Sequence, residues 1–81
     1  MIKEIISEIQ LLIEEIYKKV YDIYKDNLDA NDIKQFIVHI RYYEIMLQEL
    51  EEKHLYEDES NTQKILIEIK KELKNINLNL V

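Results

Sequence analysis

Neither glycine nor proline occurs in this 81-residue chain. Those two residues are the usual means of turning a backbone sharply or breaking a helix. A chain without either has few ways to build β-turns, phosphate-cradling loops or tight catalytic elbows. It can build long helices joined by Asn, Asp and Ser. Isoleucine returns at every seventh position of the first segment, at Ile2, Ile9, Ile16 and Ile23. That interval belongs to helices packing side by side.

Three helices are predicted, over about residues 2–26, 30–57 and 61–77. In the first, Ile2, Ile5, Ile6, Ile9, Leu12, Ile13, Ile16, Val20 and Ile23 share a face. The stripe is wider than a two-position seam, because residues 6, 13 and 20 are apolar too. That width predicts a bundle rather than a two-stranded coil. Glu14–Lys18 and Glu15–Lys19 are spaced to pair along the helix.

Asn27-Leu28-Asp29 forms the first stop, with Asp29 as expected N-cap of the second helix. The second helix should bury Ile33, Phe36, Ile37, Ile40, Tyr43, Leu47, Leu50 and His54. Val38, Tyr42, Ile45 and Met46 lie on a different face. The middle of this helix is therefore apolar nearly all round. Two neighbours within one bundle do not cover such a helix, so a homodimer through this second face is expected.

Ser60-Asn61-Thr62-Gln63 has the spacing of a capping box, with Ser60 as cap. The third helix should turn Ile65, Leu66, Ile69, Leu73 and Ile76 inward. The expected fold is one all-α domain over residues 1–81. It is a three-helix antiparallel bundle, a long hairpin with a shorter third helix packed across it.

A domain this small gains only about 3–5 kcal/mol from a single core. Cysteine is absent, so disulfides cannot add to it. Close helix packing or a partner chain must. No stretch approaches the ~18 consecutive apolar residues of a membrane span. The first residues carry charges that a secretory leader would not. A cytoplasmic protein without membrane contact is expected.

Charge is unevenly spread. Residues 1–27 carry net −2, residues 28–59 net −6 and residues 60–81 net +2. The chain lacks a basic footprint for phosphate, and Arg41 is its only arginine, so direct nucleic-acid binding is not expected. Two acidic groups could instead meet a basic protein partner. One is the stripe Glu4, Glu8, Glu15, Asp22 and Asp26. The other is the block Glu49, Glu51, Glu52, Glu57, Asp58 and Glu59. Such runs more often simply solvate a small protein.

Catalysis is poorly served. There is no cysteine, no glycine elbow, and only two serines. No cofactor is expected. Glu51 and His54 form an E-x-x-H pair, the spacing used in helical di-iron sites, but such sites need a second pair and two further glutamates. Six tyrosines against one phenylalanine carry more weight, because tyrosine favours interfaces that are apolar below and wet above. Tyr17, Tyr21 and Tyr24 line one edge of the first helix, and Tyr42 joins the second apolar face.

The function expected from these features is non-catalytic. It is regulation or inhibition of a macromolecular partner by protein–protein binding. In size, charge and helicity alone the chain is similar to antitoxins, bacteriocin-immunity proteins and phage anti-defence proteins, with no family motif matched. The alternatives are an assembly module whose homo-oligomer is the product, and a metal- or ligand-binding helical bundle.

Overall fold

The computed structural model describes residues 2–52 and 58–80. It holds three helices and, among the described residues, no strand: α1 (Ile2–Ile23), α2 (Asn31–Glu52) and α3 (Glu59–Asn79). The chain runs up, down and up again in a rod about 45 Å long and 21 by 15 Å across. A single hydrophobic cluster fills its axis.

The core follows one rule in all three helices. The buried positions of α1 are Ile2, Ile6, Ile9, Ile13, Ile16 and Val20, in alternating steps of four and three. In α3, Thr62, Leu66, Ile69 and Leu73 continue that rhythm, with half-buried Ile76 and Leu80 extending it. In α2 it is kept by Ile33, Ile40, Tyr43, Leu47 and Leu50, with half-buried Phe36 filling the missing step. This is the heptad seam of coiled-coil packing. Residues 6, 13 and 20 therefore do not widen the α1 stripe, as the sequence suggested; they are the second position of the seam itself. The widening comes from half-buried Ile5, Leu12 and Tyr17 beside it.

α3, at 21 residues against 22 in α1, is slightly the shorter. It lies along α1 in the same direction. Lys70 reaches Glu8, and Asn77 reaches Glu15, each pair separated by 62 positions in the chain. A constant offset means parallel axes in a fixed register. α1 lies closest to α3, and α2 stands further off. The ring of Tyr43 and the half-buried ring of Phe36 in the α2 seam are consistent with that wider spacing.

The helix ends also moved. α1 stops at Ile23, and Ile23 is exposed instead of inward. The turn uses successive backbone bonds and no glycine: Asn27 N–H donates to Tyr24 O at 2.8 Å, and Ala30 N–H to Asn27 O at 3.0 Å. α2 begins after Ala30, whose carbonyl accepts from Lys34 N–H, so Asp29 is not its N-cap. Instead the Asp32 carboxylate takes the Ile33 N–H, at 3.0 Å. The expected α2 end at residue 57 falls beyond Glu52, outside the described residues. α3 starts two residues early, because Asp58 and not Ser60 is its cap. The Asp58 Oδ1 accepts from Asn61 N–H at 3.1 Å. A carboxylate also answers the positive helix end, which a hydroxyl does not. Asp58→Ala should therefore cost about 1 kcal/mol, read from urea unfolding; an unchanged midpoint would show the cap to be idle.

Candidate interaction surface

Val38, Tyr42 and Ile45 lie outward on α2, with relative exposures of 63%, 63% and 52%. They sit on the side of the helix away from its seam, at spacings of four and three that keep them in one line. Met46, grouped with them from sequence, turns partly inward against the core. The face that sequence periodicity marked as uncovered is thus open to solvent at three of its four positions.

Beside this strip runs a groove between α1 and α2. Tyr17, Tyr21, Ile37, Arg41, Glu44 and Ile45 line one stretch of about 480 Å³. Gln10, Ile13, Glu14, Glu44, Leu47 and Gln48 line the next. Glu44 borders both stretches. Residues 10–14 of α1 share one stretch with 44–48 of α2, and residues 17–21 share the other with 37–45, so α1 and α2 run antiparallel. Tyr24 packs against the core beyond the groove's end.

Tyr17 is the most constrained group in this groove. Its hydroxyl is shielded from solvent and makes no hydrogen bond of normal geometry. Burial, and then the Glu44 carboxylate opposite, push Tyr17 up to about 12. Its ring meets Tyr21 at 6.5 Å between centroids. On the other flank of α2 the Tyr43 hydroxyl donates to Glu72 at 2.6 Å, and His39 lies edge-on to the Tyr43 ring. That bond to a carboxylate, together with burial, also holds Tyr43 up to about 12. Both phenols keep their protons more tightly folded than unfolded. Their contribution to stability is complete below pH 10 and is lost as pH rises through 12. Alkaline unfolding should begin in that window. Tyr43→Phe, which cannot ionise, should delay it; an identical alkaline midpoint for the variant would contradict the assignment.

The two acidic groups are dispersed over several local tasks. All of their described members are exposed. Glu8 pairs with Lys70, whose hydrogen bond and charge hold the Glu8 carboxyl below its usual range. Glu15 was expected to pair with Lys19. Instead it accepts from the Asn77 side-chain amide at 3.2 Å, while Lys19 donates to the Asn77 carbonyl at 3.3 Å. The basic α3 thus meets the acidic stripe of α1 inside one chain. Glu4 and Glu59 occupy first turns of helices, and Asp58 is a cap. Asp22, Asp26, Glu49, Glu51 and Glu52 have no such role among the described residues. The last three stand in the last described turns of α2, where the described residues include no basic side chain. Negative charge there opposes the helix dipole. Glu57 and His54 lie outside the described residues.

Comparison with protein-family models, with curated proteins and with solved structures gives no match. Glu51 is exposed, and the described residues hold no group of three or more His, Cys, Asp or Glu placed to bind a metal. No helix among them is long and apolar enough to cross a membrane.

Proposed function

We propose that this chain is a non-catalytic regulator or inhibitor that acts by binding a protein partner with a basic surface. The observation that carries this reading is the acidic end of α2. Glu49, Glu51 and Glu52 crowd the last described turns of α2, with no ion-pair partner among the described residues, where negative charge works against the helix dipole. Departures from local consistency of this kind concentrate at functional sites. The topology brings the same end of the rod close to Glu4 and Glu59, so its potential is negative on several sides. Such a field steers a cationic surface toward docking. The lack of cysteine suits a cytoplasmic setting.

The exposed line Val38, Tyr42 and Ile45 favours a second component of this reading, a homodimer, and with it the alternative of an assembly module. The acidic end and the apolar line are different surfaces, so one can serve a partner while the other serves self-association.

Glu51→Lys with Glu52→Lys tests the reading. Both residues are exposed, so the fold should persist by circular dichroism. Proteins captured by the native chain at low salt should be lost by the variant, and binding should weaken as salt rises. Equal capture by both chains would reject charge-led recognition.

A further inference from the structure

We infer that the outer face of α2 is covered by α2 of a second copy running antiparallel to it. The inference rests on the homodimer reading above and adds its geometry. The apolar line sits at the middle of the helix: Asn31–Glu52 is centred between Arg41 and Tyr42, and Val38 and Ile45 lie on either side of that point. A two-fold axis through that point overlaps the two helices along their whole length. Each copy then offers the same patch, as an isologous contact requires.

Charge chooses the direction. On the outward side of α2 Lys34 stands near the N-terminal end and Glu49 and Glu52 near the C-terminal end, while Arg41 sits at the centre and lines the α1/α2 groove beside Tyr17. Lys34, Glu49 and Glu52 are exposed, and none forms an ion pair with a described residue. An antiparallel partner lays Lys34 of one helix over Glu49 of the other, at both ends of the contact. A parallel partner sets Glu49 and Glu52 against their own copies. Like charges so placed disfavour the parallel pair. Tyr21, on the neighbouring wall of the α1/α2 groove, is also exposed and extends the patch.

Size sets the strength. From Lys34 to Glu52 the strip runs about 27 Å along one helix. A contact one helix wide falls at the low end of specific interfaces, which bury about 800 Å² per partner. The dimer should therefore dissociate on dilution.

Sedimentation equilibrium over a wide range of concentration tests this, with circular dichroism on each variant. The native chain should pass from monomer to dimer. Lys34→Glu should raise the dissociation constant by about tenfold or more. Adding Glu49→Lys to the same chain should bring it back to within about threefold of native, because the two ends of the face have then exchanged sign. A native chain that stays monomeric at every concentration overturns the homodimer and this geometry together. A dimer indifferent to the first change, or not restored by the second, overturns the antiparallel arrangement and leaves the homodimer standing.

Discussion

Leu66→Ala is expected to leave a large part of the population unfolded at room temperature. Leu66 is completely buried, in the α3 seam that lies along α1. Truncating such a leucine costs about 2–5 kcal/mol, the lost transfer energy plus the cavity left behind. A domain of this size has only about 3–5 kcal/mol to lose. The Tm should fall by about 15 °C or more in a circular-dichroism melt. Leu78, in the same helix but 79% exposed, supplies the control. Leu78→Ala should move the melt by no more than about 4 °C, about 0.5 kcal/mol at most. Similar losses at both positions would mean that the α3 seam is misplaced.

The second large effect separates two adjacent tyrosines. Tyr43→Glu places a carboxylate in the core beside Glu72, the group that accepts the Tyr43 hydroxyl. Burying an unpaired charge there should cost about 3 kcal/mol or more and abolish cooperative unfolding. Tyr42→Glu with Ile45→Glu puts two charges on the exposed line one step away. It should keep full helicity and nearly native thermal stability at dilutions where the chain is monomeric, and it should lose self-association. Collapse of helicity in the Tyr42 and Ile45 variant would place that line inside the monomer, contrary to the fold described above.

The two tyrosines also show how far periodicity reads. The assignment of Tyr43 to the core and of Tyr42 to a second face follows from 3.6-residue geometry alone. The same geometry set aside Val38 and Ile45. It could not separate Met46 from them, because Met46 lies at the boundary, where the width of the groove to the next helix decides burial. Ile23 failed for a related reason. It keeps the seven-residue interval, but the chain turns there and no described neighbour covers it fully. Capping was legible in kind and not in place. Ser60 and Asp58 are both good caps, and the choice between them falls to the carboxylate, which answers the positive helix end and takes the Asn61 N–H.

The acidic surface was the least legible element. Residue types mark Glu8 and Glu15 as members of one solvent-facing stripe. Only the parallel packing of α1 and α3 shows that Lys70 and Asn77 come to meet them. A contact across 62 residues leaves no mark on local spacing. It depends on which helix lies next to which, and in what register. By itself the sequence determined the helices, their seams and the strip on α2 that the monomer does not cover, since each follows from local periodicity and from the absence of glycine and proline. The tertiary structure alone decided that α3 lies along α1, and so which carboxylates meet a partner inside the chain and which have none among the described residues. That is so because side-chain pairing between helices is set by relative position, which no single helix encodes.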